Sequence, residues 1–241
     1  MISQESPIFL SAEWRKLLML NFEVDSALLQ PYLPKGVEID YFEGRTFVSV
    51  VGFMFENTQL KGFKIPFHQT FEEVNLRFYT RYMHEGEWKR GVCFVRELVP
   101  KAAISWVANA VYHEPYLAVP MWHKINHNAQ ELSVLYGWDY ANEKHEIMAL
   151  AEPKSQKMQE GSLNEFIAEH YWGFGRHREE KVVIYQVEHP RWEFYPVRTW
   201  QMQLNTAKLY GQQFVKTLAQ EPVSVFVAEG SPIHVRHALF V

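Results

Sequence analysis

The fold is decided by an alternating segment, Phe71–Tyr82, which reads FEEVNLRFYTRY. Successive side chains of a β-strand point to opposite faces, so this alternation predicts a strand. Val74, Leu76, Phe78 and Tyr82 fall on one face, and Glu73, Asn75, Arg77, Tyr79 and Arg81 fall on the other. A turn at His84–Glu87 leads into a second predicted strand, Val92–Glu97, so the two segments are predicted to pair as a hairpin.

The second strand of this hairpin leads to Lys101, which stands between Val99-Pro100 and Ala102-Ala103. A lysine amine in apolar surroundings is poorly solvated when charged, so it becomes neutral and nucleophilic more readily. Such an amine can form a Schiff base with a ketone or an aldehyde. The alternative is an ordinary surface lysine at the start of a helix predicted from Ala102 to Tyr112.

The polar face of the first strand carries Glu73, Asn75 and Arg77 at intervals of two residues. Adjacent members are about 7 Å apart, and Glu73 to Arg77 is about 13 Å along the strand. Such a polar strip suits the lining of a cavity in which Arg77 binds a carboxylate through two hydrogen bonds. It equally suits the solvated face of a sheet.

The remainder of the chain contains no linker, repeat or low-complexity tract, and we expect a single domain over residues 1–241. Eight or more strands and three or four short helices are predicted, one of the helices behind the capping box at Ser162–Glu165. The predicted class is α+β with a dominant antiparallel sheet or barrel.

The composition narrows the classes of function. A formal net charge of −4 disfavours a nucleic-acid binder, and no apolar run approaches the length of a membrane span. The single cysteine, Cys93, excludes an internal disulfide, and a cytoplasmic location is expected. His123 and His127 fit no metal-binding pattern, so neither a metal nor a cofactor is predicted.

Several motifs together resemble the acetoacetate decarboxylase-like superfamily. They are Trp14-Arg15 with Asp25 ten residues after the arginine, Leu33–Asp40 (LPKGVEID), Phe71–Glu73, and Arg96–Lys101 (RELVPK). Within this superfamily the chain is most similar to the uncharacterised YqjF-like bacterial family. That similarity extends to Gly62–His68 (GFKIPFH), Glu73–Arg77 and His170–Gly173 (HYWG).

The resemblance implies a cone-shaped barrel with a few short helices, in which Lys101 faces a closed pocket and forms the Schiff base without a cofactor. It implies a catalytic role for Glu73, a carboxylate-binding role for Arg15, and a homo-oligomeric assembly. Glu97 is expected to support the strand of Lys101. Two departures argue against acetoacetate itself as the substrate. Ala102 replaces a second lysine, and Val48–Val51 offers no equivalent of a second glutamate.

The leading hypothesis is a Schiff-base lyase of decarboxylase, aldolase or dehydratase type. It would act on a small keto acid through Lys101 and Glu73, with Arg15, Arg77 and Asn75 binding the substrate. The alternative is a non-catalytic protein that binds a small carbonyl or carboxylate compound in the same cavity. A third hypothesis, a structural or interaction module, predicts that Lys101 is exposed on the outside of the sheet. Residues in His170–Trp172 and His177 either line a pocket or fill the core.

Overall fold

The computed structural model describes residues 7–102, 115–176 and 181–241. The predicted helix from Ala102 to Tyr112 lies almost wholly outside them.

The described residues form sixteen strands and three short α-helices. The strands are β1 Ile8–Glu23, β2 Val37–Ile39, β3 Phe47–Leu60, β4 Phe63–Lys64, β5 Phe71–His84, β6 Glu87–Val99, β7 Tyr116–Ala118, β8 Met121–His127, β9 Leu132–Tyr140, β10 Glu143–Ala151, β11 Gln156–Lys157, β12 Trp172–Arg176, β13 Val182–Glu188, β14 Glu193–Gln203, β15 Ser224–Arg236 and β16 Leu239–Phe240. The helices are α1 Leu163–Ala168, α2 Thr206–Tyr210 and α3 Val215–Leu218.

The strands belong to one hydrogen-bonded sheet, in which the central order is β13-β12-β6-β5-β3-β1-β15. An additional pairing of β13 with β15 joins the two ends of this path, so these seven strands form a closed circuit of pairings. All neighbours are antiparallel except β6 with β7 and β6 with β12. The predicted dominance of antiparallel strands with few short helices is confirmed, whereas the cone shape and the single domain stay predictions.

The predicted hairpin is formed by β5 and β6, which pair from Val74–Leu98 to His84–Glu87. The alternation along β5 separates two hydrophobic cores. Val74, Leu76 and Phe78 join one core, whereas Phe71 and Tyr79 join the other. Because both faces of β5 are covered along Glu73–Tyr79, the polar residues Glu73, Asn75 and Arg77 are buried as well.

Side-chain caps mark the starts of two short helical segments, one of them at the predicted capping box. The Ser162 hydroxyl accepts a hydrogen bond from the backbone N–H of Glu165 at the start of α1. The Asp25 carboxylate caps a short 3₁₀ turn, Ser26–Leu28, in the same way. None of the helices that the structure describes is both long and apolar enough to cross a membrane.

Candidate functional site

A cavity of about 370 Å³ lies against the odd-numbered face of β5. Aromatic side chains form much of the described lining, and polar groups are a minority of it. The aromatic wall includes Trp14, Phe53, Phe55, Phe71, Phe94 and Trp172. The principal polar groups are Glu73, Asn75, Arg77, Glu97 and His170. An apolar cavity with a few convergent polar groups is the usual form of a small-molecule site.

The strip of Glu73, Asn75 and Arg77 lines this cavity and is buried, with 3%, 2% and 8% of each residue exposed. The solvated-face alternative is therefore wrong. The strip is positioned by β3, where Phe53, Val51 and Ser49 pair with the three residues in turn. Since β3 and β5 both alternate, the aromatic ring of Phe53 enters the same cavity beside Glu73.

Glu73 lies in a site that favours its neutral form. Burial raises the pKa of its carboxyl group to about 7. Hydrogen bonds from the Asn75 amide at 3.0 Å and the Tyr116 hydroxyl at 3.1 Å, together with the positive charge of Arg77, act in the opposite direction. Loss of water thus outweighs the charged and polar neighbours, and Glu73 can both hold and release a proton near neutral pH.

Arg77 is a buried guanidinium without an acidic partner. Among the described residues, no carboxylate oxygen lies within 4.0 Å of its nitrogens. Its Nη2 approaches the Met19 sulfur at 3.9 Å, the group lies 5.7 Å from the centre of the Tyr79 ring, and its Nε is buried without a hydrogen-bond acceptor. A buried charge is ordinarily paired, so this guanidinium has capacity for an anionic ligand.

The second strand of the hairpin adds Glu97, which is 1% exposed and pairs with Asn75 across the two strands. Its side chain lines the cavity. The sequence assigns Glu97 only a supporting role, whereas the structure places it where it can contact a ligand. Lys101 follows two residues after the end of β6 and is half-buried. Lys101 is not one of the described residues that line the cavity.

Arg15 lies on β1, next to the cavity residue Trp14, but does not itself belong to the described lining. Its guanidinium donates to the Glu13 carboxylate, with Nε 2.9 Å from the oxygen, and lies 3.8 Å from Glu229. The structure therefore brings together Glu73, Asn75, Arg77 and Glu97 and places Arg15 outside this group. The substrate-binding role of Arg15 stays a prediction.

His170 adds a fifth polar group to the cavity wall. Its Nε2 lies 3.2 Å from the Asp40 carboxylate, which also accepts a hydrogen bond of 2.6 Å from Arg90. Burial lowers the pKa of the imidazole to about 4, although the Asp40 hydrogen bond opposes the change. Burial also favours the protonated form of Asp40, but hydrogen bonds from His170 and Arg90 bring its pKa below the ordinary value. The imidazole is thus held neutral, and its Nδ1 is buried without a hydrogen-bond partner.

The sequence leaves the role of His170 and Trp172 open, and the structure places both in the cavity wall. Tyr116 and the partner of His170, Asp40, are not found by sequence reasoning. Their contacts join residues 43 and 130 positions apart, and no local pattern reports such contacts. Within residues 7–102, 115–176 and 181–241, no group of three His, Cys, Asp or Glu residues is arranged to hold a metal ion.

Solved structures of acetoacetate decarboxylase-like enzymes share this architecture. The chain aligns with acetoacetate decarboxylase from Legionella pneumophila subsp. pneumophila str. Philadelphia 1 at a TM-score of 0.65 and 12% identity, over 97% of this chain and 87% of that one. It aligns with the enduracididine biosynthesis enzyme MppR, complexed with pyruvate, at a TM-score of 0.65 and 13% identity, over 99% and 92% of the two chains. At these identities the likeness defines the fold class alone, which is that of the acetoacetate decarboxylase-like proteins.

Residues 11–232 match the model of the family DUF2071, described as an uncharacterized conserved protein, and the chain belongs to this family. It is 28% identical to the uncharacterized protein YqjF of Bacillus subtilis (strain 168) over 109 residues. This match spans 45% of the chain and 43% of YqjF, less than half of either protein. The family resemblance predicted from the sequence motifs is confirmed.

Proposed function

We propose that the cavity binds a small oxo acid, with the ligand carboxylate held by Arg77 and the ligand carbonyl beside Glu73. One observation supports this most directly: a guanidinium that is 8% exposed, without an acidic partner among the described residues, faces a largely aromatic cavity. Keeping such a charge unpaired costs stability, and a ligand carboxylate would supply the missing partner through two parallel hydrogen bonds.

Glu73 is the proposed proton carrier of this site. Its pKa of about 7 leaves it divided between the acid and the carboxylate at neutral pH, which suits a group that both donates and accepts a proton. Asn75 and Tyr116 fix the orientation of the two carboxyl oxygens through one hydrogen bond each. A ligand carbonyl beside Glu73 would therefore lie within reach of an oriented proton donor.

Lys101 is the proposed nucleophile. Its neutral amine would add to the carbonyl carbon of the ligand, and the resulting carbinolamine would take up a proton from solvent and lose water to leave an iminium. The iminium would accept the electron pair of a bond to the neighbouring carbon and become an enamine. That bond would lead either to the CO₂ that leaves a 3-oxo acid or to the aldehyde that leaves a 4-hydroxy-2-oxo acid, whose hydroxyl proton would pass to the Glu73 carboxylate. Protonation of the enamine carbon by Glu73 and hydrolysis by water would then release the product and regenerate Lys101.

Two features support this chemistry. The strand that delivers Glu97 to the cavity ends two residues before Lys101. The fold is also that of acetoacetate decarboxylase and of MppR, whose structure was determined with pyruvate. In this proposal the barrel of seven paired strands encloses the reacting carbonyl, and the Lys101 side chain turns into the barrel when a ligand is bound.

The position of Lys101 favours a second candidate function as well. Because Lys101 is half-buried and outside the described lining, the cavity can hold an oxo acid without contact to the amine. The chain would then be a non-catalytic binding protein that retains Arg77 for the carboxylate. Both candidates need the same ligand class, and they differ only in whether an imine forms.

Borohydride trapping separates the two candidates. Wild type, Lys101→Arg, Arg77→Gln and the control Lys64→Arg are incubated with an isotopically labelled oxo acid and borohydride, and the labelled peptides are mapped by mass spectrometry. Lys64 is an exposed lysine of β4 and reports non-specific labelling. We expect an adduct on Lys101 in wild type and Lys64→Arg, no adduct in Lys101→Arg, and a loss of affinity of roughly 10- to 100-fold in Arg77→Gln.

The outcomes are distinct. Tight, Arg77-dependent binding without an adduct on Lys101 would identify the chain as a binding protein. Equal binding by wild type and Arg77→Gln would refute the proposed site for both candidates.

A further inference from the structure

Among the described lining residues, the charged groups of the cavity come from one wall. Glu73 and Arg77 come from β5, and Glu97 comes from its hairpin partner β6. The lining contributed by β1, β3, β13 and β15 is apolar or aromatic, apart from the Thr58 hydroxyl and the phenol of Tyr185. A ligand in this cavity therefore meets charged groups on one side and hydrocarbon on most of the other.

The apolar lining continues toward one end of the cavity. Leu10 and Leu60 pair across β1 and β3 at this end, and Leu60 also pairs with Phe63 of β4. Ile65, in the segment after β4, belongs to the lining and is 41% exposed. Leucine and isoleucine side chains thus lead from the cavity to the surface at this end, at a distance from Arg77, and the Thr58 hydroxyl and the His68 imidazole are the polar groups of the described lining beside them. Six residues of extended strand separate Arg77 from Phe71, which is roughly 20 Å.

The cavity is large for the simplest oxo acids. At about 30 Å³ for each water molecule in the liquid, 370 Å³ corresponds to roughly twelve waters. A three-carbon oxo acid has six non-hydrogen atoms and would leave a large part of that space unfilled. The space left empty would be the region of the cavity lined by aromatic side chains, where ordered water has few polar partners.

We infer that the ligand is an amphipathic oxo acid whose tail extends several carbons beyond the three of pyruvate. Its carboxylate binds Arg77, and its hydrocarbon or aromatic tail lies along the apolar lining toward Ile65. This inference rests on the proposed binding of an oxo acid at Arg77 and adds the size and polarity of the ligand. Burial of the tail would supply affinity that a three-carbon ligand cannot obtain.

A series of straight-chain 2-oxo acids from three to ten carbons tests the inference, with phenylpyruvate as an aromatic member. Binding to the full chain is measured by calorimetry, and by tryptophan fluorescence, since Trp14 and Trp172 belong to the described lining. Each buried methylene is expected to increase affinity about threefold to fourfold, so the eight-carbon acid should bind more than roughly 100-fold tighter than pyruvate.

Two variants locate the tail. Ile65→Ser should weaken binding of the eight-carbon acid about fivefold and leave pyruvate binding unchanged. Phe67→Ser is the matched control, because Phe67 lies two residues further along, is 88% exposed and does not belong to the described lining. It should leave both ligands unchanged. Equal weakening of pyruvate and the eight-carbon acid by Ile65→Ser would contradict the placement of the tail.

The failure of this inference differs from the failure of the proposed function. Affinity that is independent of chain length, or that falls with it, while Arg77→Gln still weakens pyruvate, would overturn the amphipathic ligand and retain the oxo acid site. Absence of binding by every member of the series would overturn the proposed function, and the inference with it.

Discussion

The pKa of Glu73 makes the stability of the fold depend on pH in an unusual direction. The carboxyl group has a pKa of about 7 in the folded chain, against an ordinary value of 4.5. Between these two values the folded chain holds a proton that the unfolded chain has released. Stability contributed by the neutral group is therefore complete below pH 4.5 and is lost as the pH rises through 7.

The magnitude follows from the two pKa values. Each pKa unit corresponds to about 1.4 kcal/mol, so the change from 4.5 to about 7 corresponds to roughly 3 kcal/mol in total. About 2.5 kcal/mol of this stabilisation is lost as the pH rises from 5 to 8. Because other groups also titrate in this range, the term is isolated by comparison with Glu73→Gln, which has no proton to lose and resembles the neutral acid in shape.

The assay is urea unfolding of wild type and Glu73→Gln at pH 5 and pH 8. Between these pH values the wild type should lose about 2.5 kcal/mol more of its unfolding free energy than the variant. Glu38→Gln is the control, since Glu38 is exposed and pairs with Arg81 on the surface, where one ion pair contributes under about 1 kcal/mol. Parallel pH dependence of wild type and Glu73→Gln would refute the argument that burial dominates at Glu73.

Three further predictions concern stability. His170 should give the stability a pH dependence of the opposite sign to that of Glu73, because its pKa is about 4 in the folded chain and lies below the ordinary value of 6.5. As the pH falls from 7.5 to 5, wild type should therefore lose about 2 kcal/mol of unfolding free energy relative to His170→Asn, measured by urea unfolding. Gly230→Ala should cost about 2 kcal/mol or more in thermal unfolding, because Gly230 has a φ of +82° and an added Cβ would lie 1.9 Å from the Trp14 carbonyl oxygen. Gly44→Ala, with a similar φ of +76° and no atom within 4 Å, should cost less and is its control. Ser162→Ala should cost about 1 kcal/mol through loss of the α1 cap, whereas unchanged stability would show that the capping bond is not formed in solution.

The sequence predicts the hairpin of β5 and β6 and the polar strip of the site, because both depend on alternation within one strand. It does not predict that the strip is buried. Alternation separates two faces but does not report what covers either of them, and the covering strands β1, β13 and β15 lie far away in the sequence. The location of Lys101 is unpredictable for a related reason: its apolar neighbours Val99 and Pro100 are visible in the sequence, but the direction of its side chain depends on the whole sheet.

The arrangement of Glu73 and Arg77 connects ligand binding to proton transfer. Without a ligand, the positive charge of Arg77 lowers the pKa of Glu73 and partly opposes burial. A ligand carboxylate that pairs with Arg77 neutralises this charge, adds a negative charge to the cavity and excludes water, and each change favours the neutral acid. Binding near pH 7 would therefore draw a proton onto Glu73. The same event that places the carbonyl in the cavity would load the acid that protonates the enamine, so the positive charge that selects the ligand also sets the protonation state of the acid.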